Sequence, residues 1–288
     1  MRPSYGEAAA RGGPRRPEAA RAPDYPPRVD EVEAVVRSWQ AQDARFARVL
    51  RRPWGDLVVD PRFPRLINAN AAKVTARDRV DPEAVLAEVA REFPHARRLS
   101  VTVFHPDDQP DLIVALSGEG GDLFFDDVHV AGSTPDVATD RVEEVADHDA
   151  AFWAAFRETG ALFGILPATL DELVVAERDL LIPAGKRWFV VRGGGGAIEA
   201  ISALIPGPSA EIDHVMTVPA ARRRGHAAAL VTRCVVEARA AGTPQVHLLA
   251  QSGGDGERIY RRLGFRRVGA FAGWLSAPRD GDGSSATL

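Results

Sequence analysis

Three consecutive arginines followed by a glycine, Arg222 to Gly225, stand between a strand-like run and a long helical run. A helix that begins in such a loop presents unpaired N–H groups and the positive end of its dipole at one point. Gly225 lets the backbone come close to a ligand, and the small Ala227 leaves room beside it. Because phosphate groups bind at helix N-termini of this kind, the junction predicts a pyrophosphate site.

The elements that position this junction follow from the periodicity of the apolar residues. The run EIDHVMTV before it alternates as a strand, and AALVTRCVVEARAAG after it predicts an amphipathic helix. The apolar face of that helix carries Leu230, Val231, Cys234, Val235 and Ala238. Upstream, KRWFVVR and AIEAISALI predict strands joined by four glycines, which favours a hairpin turn over a phosphate cradle because no helix follows. Downstream, VHLLAQ predicts a strand, GERIYRRLG a short helix and FRRVGAFAGWL a closing strand.

The stretch RRRGHA, residues 222–227, resembles the R/Q-x-x-G-x-G/A signature of the GNAT superfamily of acyl-CoA-dependent N-acetyltransferases. The stretch YRRLGF, which begins at Tyr260, is similar to the family's second motif, Y-x-x-L-G-F. The resemblance covers residues 140 to 275, where the predicted elements follow the family's order. It departs at Arg223, where the family often has a second glycine. Asn or Ser commonly precedes the tyrosine helix and contacts the cofactor, and Ser252 is the best substitute here.

The resemblance implies an acetyl-CoA site and direct attack of an amine on the thioester. The pantetheine arm would lie along the strand at residues 211–218 and bond to Met216, Thr217 and Val218. The pyrophosphate site would comprise Arg222, Arg223, Arg224, Gly225, His226, Ala227 and Ala228.

The resemblance also implies the acid and the base of the reaction. Tyr260 would protonate the leaving thiolate, because a phenol with a pKa near 10 is a reasonable donor to a thiolate with a pKa near 8.5. The proton of the amine would pass to Glu211 or Asp213, directly or through a water, and the sequence does not choose between them. Strand amides would stabilise the tetrahedral intermediate.

The first half of the chain predicts a similar fold without the same chemistry. A chain of 288 residues suggests about two domains of about 150 residues each. The predicted fold class is therefore α/β with two GNAT-like mixed domains, a degenerate one at residues 29–137 and a catalytic one at residues 138–276. Where the first half would need a pyrophosphate loop it has TARDRVDP, and no tyrosine occurs between Tyr25 and Tyr260. We expect this half to serve a structural or substrate-shaping role and not to bind acyl-CoA.

Several local structures can also be predicted from composition and pattern. Residues 1–28 are rich in Arg, Pro, Ala and Gly and predict a disordered segment, and residues 277–288 predict a flexible tail. Apolar residues at helical spacing predict one helix over residues 30–50, and residues 66–74 predict a strand. Thr169 and Glu172 are spaced as a capping box at the start of a helix.

Composition excludes other classes of protein. The single cysteine excludes a disulfide framework, and the net charge of -4 argues against a general nucleic-acid binder. No apolar run reaches the roughly 18 residues of a membrane helix. His214 and His247 have no partners at metal-ligand spacing, so we expect no metal.

The expected protein is thus a cytoplasmic monomer or homodimer that acetylates a small-molecule or peptide amine. The alternative is a non-catalytic acyl-CoA-binding sensor or scaffold that keeps the loop without the chemistry. A third class, the tRNA-dependent aminoacyltransferases with tandem GNAT-like domains, generally lacks a strong pyrophosphate loop, so the loop disfavours it.

Overall fold

The computed structural model describes residues 29–251 and 253–279. They form two compact units, neither of which is continuous in sequence. The motif unit contains residues 29–39 and 127–269, and so includes the arginine junction. The companion unit contains residues 40–126 and 270–279.

The companion unit is built on a mixed sheet. Along the chain its elements are the end of α1 (Val29–Asp43), β1 (Arg48–Arg52), β2 (Gly55–Val59), β3 (Asn70–Val74), α2 (Pro82–Glu92), β4 (Ser100–Val103), α3 (Pro110–Gly118) and the start of β5 (Asp122–Ala131). Strands β1, β2 and β3 are antiparallel and β4 is parallel to β3. The end of β11 (Phe265–Leu275) pairs antiparallel with β4. Apolar side chains of α2 and α3 pack with the strands in one core.

The motif unit repeats this alternation of strands and helices. Its own elements are β6 (Val142–Glu144), α4 (Ala150–Leu162), α5 (Pro167–Ala176), β7 (Arg187–Arg192), β8 (Ile198–Ile205), β9 (Ala210–Thr217), α6 (His226–Ala240), β10 (Val246–Gln251) and α7 (Asp255–Arg262). Parts of β5 and β11 complete its sheet, in the order β11-β5-β10-β9-β8-β7-β6. The five apolar residues predicted on one face of α6 are all buried, and they pack with side chains of β7, β8 and β9. The predicted α/β fold class is confirmed.

Two strands explain why the units are discontinuous. The chain passes from the companion unit to the motif unit within β5, between Asp126 and Asp127. It returns within β11, between Gly269 and Ala270. The predicted domains at 29–137 and 138–276 are continuous stretches of chain and do not follow this exchange. Because strands carry the crossing in place of linkers, no change of composition marks it in the sequence.

Two predicted elements have different limits in the structure. The run predicted as one helix ends at Asp43, and residues 48–52 form β1, which pairs with β2. The strand predicted over residues 66–74 is limited to Asn70–Val74, because the amides of Leu66 and Ala69 close turns before it. In both places the apolar pattern continues through a turn, so the pattern alone does not show where the helix ends or the strand begins.

The structure contradicts the prediction for the start of α5 and agrees with the prediction for the glycine turn. The predicted capping box is wrong: Pro167 is the first residue of α5, Leu166 is its N-cap, and no side chain caps it. The helix therefore begins before Thr169, whose amide already donates to the carbonyl of Leu166. The four glycines at residues 193–196 form the predicted turn between β7 and β8, with φ of 91° at Gly195 and 84° at Gly196.

The predicted terminal segments fall largely outside the described residues. Residues 1–28 and 280–288 are not described, but residues 277–279 are. Arg279 is anchored in the companion unit: its amide donates to the carbonyl of Arg97 at 2.8 Å, and its guanidinium to the carbonyl of Phe93 at 2.7 Å. None of the described helices is both long enough and apolar enough to cross a membrane.

The close approach of β2 and β3 gives a test of this architecture. A Cβ at Gly55, where φ is +149°, would lie 2.0 Å from the carbonyl oxygen of Lys73. We expect Gly55→Ala to lower the free energy of unfolding by about 2–4 kcal/mol, because the backbone angle and the contact must both change.

Gly194→Ala is the matched control, since nothing lies within 4 Å of its Cβ position. Its effect should stay within about 0.5 kcal/mol. Urea denaturation measures both variants, and an equal loss in the two would contradict the close pairing of β2 with β3.

Candidate functional site

Strand β9 separates from β10 shortly after it begins. The two strands pair in parallel only at Ala210 with Val246 and at Glu211 with His247. Beyond Glu211 no further pairing joins these two strands, both of which lie within the described residues. The edge of β9 that faces β10 is therefore open from residue 212 onward, and the opening is closed at Glu211.

A bulge in β9 accompanies the separation. Ile201 of β8 pairs with Met216 and Ala203 pairs with Asp213, so two residues of β9 face one residue of β8. One of the two is His214, whose φ of 52° is left-handed. Such bulges bend a strand and increase its twist, which turns the end of β9 away from its neighbour.

The loop after β9 leaves its amides unused. A 3₁₀ turn at Pro219–Ala221 leads to Arg223, with φ of 64°, and to Gly225, with φ of 81°, before α6 begins at His226. Within the described part of the chain, none of the amides of residues 223–228 donates to a protein acceptor. A Cβ at Gly225 would meet nothing within 4 Å. The start of α6 is thus an open set of donors at the positive end of a helix dipole, which suits an anion.

Glu199 on β8 holds this loop in place, although no motif in the sequence predicts a role for it. Its carboxylate accepts from Arg224 at 3.3 Å and lies 3.1 Å from Nε2 of His226. Its carbonyl accepts the amide of Val218 at 2.9 Å. Arg222 also bonds back to the strand, from Nε to the carbonyl of Thr217 at 3.3 Å. One carboxylate against three arginines leaves the loop positive.

The first candidate base, Glu211, lies at the closed end of the opening. Glu211 is 8 % exposed, so it is not the exposed carboxylate that is usual at the start of a strand. Oε2 of Glu211 lies 4.0 Å from Nε2 of His247 on β10. His247 is fully buried, and its Nδ1 lies 2.8 Å from Oγ of Ser209.

The second candidate base, Asp213, belongs to a group of charges. Lys186 donates to Glu177 at 2.6 Å and to Asp213 at 3.3 Å, and the indole of Trp188 donates to Glu177 at 3.2 Å. Glu177 and Lys186 are buried, whereas the side chain of Asp213 is 46 % exposed. Two carboxylates against one ammonium leave one negative charge, and Asp213 presents it to solvent.

Opposing effects set the pKa of Asp213. Burial favours the neutral acid, but the Lys186 ammonium and the His214 imidazole and amide outweigh it, so the pKa of Asp213 lies below its usual value. The amide of His214 donates to Oδ1 of Asp213 at 2.7 Å. Asp213 is therefore a stable anion and a weak base. In the sequence, Lys186 is visible only as a charged residue at the start of an apolar strand, and nothing there predicts its ion pairs.

Tyr260 lies on α7, where its ring packs near Phe265. Burial, and then the negative charge of Asp213, raise the pKa of Tyr260 to about 12. The hydroxyl stays protonated at working pH, but it is a weaker acid than the phenol assumed from the sequence.

The other predicted residues fall into three groups. Met216, Thr217 and Val218 lie at the open end of the gap between β9 and β10, and the side chain of Met216 is buried in the core. Ala227 and Ala228 lie in the first turn of α6. Ser252 lies outside the described residues. Among the described residues no group of three or more metal-ligating side chains is present.

The companion unit has none of these features at the corresponding place. Strands β3 and β4 stay paired from Ala72 to Val74, and the amide of Phe104 extends the pairing by donating to the carbonyl of Val74 at 3.0 Å. The start of α2 already holds an anion, because the Asp81 carboxylate accepts the amide of Glu83 at 3.0 Å. A negative side chain at a helix N-terminus repels a phosphate group.

Comparisons with known proteins agree with this geometry. A family profile described as "Acetyltransferase (GNAT) domain" matches residues 184–267. No curated protein matches the chain.

Two solved structures are similar over most of the chain. A functionally unknown conserved protein from Staphylococcus epidermidis is 12% identical with a TM-score of 0.61, covering 81% of this chain and 95% of its own. A GCN5-related N-acetyltransferase from Kribbella flavida is 19% identical with a TM-score of 0.59, covering 85% of this chain and 95% of its own. At these identities the likeness shows a shared fold.

The backbone strain at Arg223, which has a left-handed φ, can be tested by a substitution to glycine. A residue with a Cβ is strained at this φ, whereas glycine is not. We expect Arg223→Gly to raise the free energy of unfolding by about 0.5–1 kcal/mol in urea denaturation.

Arg222→Gly is the control, because Arg222 has an ordinary φ of −62°. Glycine there only adds freedom to the unfolded chain and removes the bond to Thr217, so stability should fall. A loss of stability in both variants would argue against strain at Arg223.

Proposed function

Residues 184–267 form a GNAT acetyltransferase domain, and from this premise we propose that the protein transfers an acetyl group from acetyl-CoA to a primary amine. The observation that carries the proposal is the position of the unused amides of residues 223–228 at the open end of the gap between β9 and β10. An anion site lies next to an open strand edge. The first suits the pyrophosphate of the donor, and the second suits its extended, amide-containing arm.

In this proposal the loop and β9 bind the donor together. The amides of residues 223–228 and the side chains of Arg222, Arg223 and Arg224 hold the pyrophosphate. The pantetheine arm extends along β9 past Val218, Thr217 and Met216 as an added strand would. Acetyl-CoA supplies the activated acyl group, which this direction places toward the closed end at Glu211. Ser252 stays a proposed contact to the donor.

The two carboxylates of β9 then have different roles. Asp213 is anionic and half-exposed, so it attracts the ammonium form of the acceptor. Its low pKa makes it a poor proton acceptor. Glu211 lies at the closed end and takes the proton of the amine, directly or through a water. An acceptor that carries positive charge fits this division.

Tyr260 donates to the sulfur of the leaving group. With a pKa near 12, its hydroxyl is protonated over the whole working range. Full proton transfer to a thiolate with a pKa near 8.5 is then uphill, so a hydrogen bond to the developing thiolate is the main contribution. The effect of the Asp213 charge on the pKa of Tyr260 supports the placement of Tyr260 at the acyl end.

Direct attack by the amine is favoured over a covalent cysteine intermediate. Cys234 is fully buried in the inner face of α6, and burial raises the pKa of its thiol to about 12. Nucleophilic catalysis by cysteine needs an accessible thiolate. The companion unit, with Asp81 at the start of α2, is proposed not to bind acyl-CoA.

Acetyl-CoA binding tests the pyrophosphate loop. Gly225→Asp adds a negative charge and a strained Cβ at the start of α6, and Arg222→Ala removes a positive charge. We expect Gly225→Asp to weaken acetyl-CoA binding at least about tenfold, with a smaller loss for Arg222→Ala, measured by calorimetry.

Arg77→Ala is the matched control, since Arg77 lies in the loop after β3 of the companion unit. Its affinity for acetyl-CoA should equal that of the unchanged protein. If both loop variants bind as tightly as this control, the assignment of residues 222–228 fails.

Turnover tests Tyr260. We expect Tyr260→Phe to slow acetyl transfer by on the order of 10²-fold and to leave acetyl-CoA affinity unchanged, because the lost hydrogen bond forms only as the thiolate develops. The assay is release of free thiol, with an acceptor found by screening amines that carry one or two positive charges. Unchanged turnover would remove Tyr260 from the mechanism. Binding of acetyl-CoA with no acceptor in the screen would favour the sensor or scaffold function.

A further inference from the structure

A buried polar chain adjoins Glu211 and has no role in the mechanism described so far. It runs from Ser209 through His247 to Glu211. Oγ of Ser209 lies 2.8 Å from Nδ1 of His247, and Nε2 of His247 lies 4.0 Å from Oε2 of Glu211. Ser209 and His247 are both 0% exposed.

The backbone fixes this arrangement at both ends. Glu211 and His247 form the last pair before β9 and β10 separate, so their side chains lie on the same side of the sheet. Ser209 is held from α1: its amide donates to Oγ of Ser38 at 2.7 Å, and Oγ of Ser38 lies 2.8 Å from the carbonyl of Ser209. His247 therefore cannot move far from its place beside Glu211.

The second ring nitrogen of His247 has no hydrogen-bond partner among the described residues. A buried polar group without a partner is costly, and an apolar side chain would fill the same space without that cost. The nearest carboxylate oxygen is Oε2 of Glu211, at 4.0 Å. The nitrogen without a partner thus lies beside the proposed base.

We propose that His247 is a positioning residue for Glu211, whose carboxylate it holds at the closed end of the opening through an Nε2–H donor. The neutral ring carries one proton, and a carboxylate faces Nε2, so the proton belongs on Nε2. Nδ1 is then an acceptor, and Ser209 donates its hydroxyl to it. The role of Glu211 as a base rests on the proposed function, but the hydrogen bond does not.

The charge state of the ring agrees with this assignment. Burial lowers the pKa of His247 to about 3 and outweighs the carbonyl of Ala210, an acceptor beside the ring that competes with Glu211 for its proton, so the imidazole is neutral at working pH. Other charges at this end of the motif unit are Asp213 with Lys186 on the sheet, and Glu31 of α1, which pairs with Arg266. None of them changes in the variants below.

The first measurement is the tautomer. In full-length protein labelled with ¹⁵N-histidine, long-range proton–nitrogen spectra at pH 7 should show His247 with its proton on Nε2. The signal is assigned by its loss in His247→Gln, or, if that variant does not fold, by the shift of one ring in Ser209→Ala. A proton on Nδ1 would overturn the proposal.

The second measurement is the titration of Glu211, followed by ¹³C-labelled glutamate carboxyl signals. His247→Leu removes the donor, so the midpoint for Glu211 should rise by on the order of one pH unit. His247→Gln can place an N–H close to the position of Nε2, and the midpoint should stay close to that of the unchanged protein. His129→Leu is the matched control, because His129 is also fully buried and neither of its ring nitrogens has a partner among the described residues.

Equal shifts in the Leu and Gln variants of His247, or no shift in either, would overturn the proposal. With an acceptor amine from the screen, the acidic limb of kcat/KM should move to higher pH in His247→Leu and should be restored in His247→Gln. If the tautomer and the titration are as expected but no amine is acetylated, the positioning of Glu211 stands and the proposed function fails.

Discussion

The site depends on one constraint, which is that β9 pairs with β10 at its start and not along its length. Two residue pairs join the strands, and the bulge at His214 turns β9 away after them. If β9 were paired with β10 along its whole length, the backbone amides on that edge of β9 would be hydrogen-bonded to β10 and closed to a ligand. The separation also decides where the loop after β9 emerges, and with it where the first turn of α6 points. Two residue pairs and a bulge therefore set both the open edge of β9 and the position of the open amides at the start of α6.

Charge is distributed along this opening in a definite direction. The loop end carries three arginines and the start of α6, with only Glu199 against them. The closed end carries Glu211, and Asp213 carries the uncompensated charge of the group with Lys186 and Glu177. Under the proposed function, an anionic donor and a cationic acceptor would be attracted to opposite ends, so the two substrates would not compete for the same electrostatic site. Buried pairs such as Lys186 with Glu177 are costly to form, and here they keep Asp213 charged.

Local pattern predicted the parts of the site that depend on neighbouring residues. The α6 face, the glycine hairpin and the arginine junction are contained within short windows, and the structure places each as expected. Glu199, Lys186 and Glu177 were missed because their partners lie at least nine residues away, and their own windows show only a charge in an apolar run. The burial of Glu211 was missed for the same reason, since it depends on β10. The limits of the two units depend on where the chain passes from one unit to the other within β5 and β11, and no short stretch of sequence contains that information.

The two halves share an order of elements, with three strands, a helix, a strand, a helix and a final strand in each. They differ in the pairing of the strands around the opening and at the start of the first helix in this order. Gly225 leaves the start of α6 open, whereas the Asp81 carboxylate closes the start of α2. Residues 127–131 of β5 belong to the motif unit and lie in its sheet beside β10. β10 is thus paired with β5 on one edge, while its other edge faces the opening beyond the two residue pairs with β9.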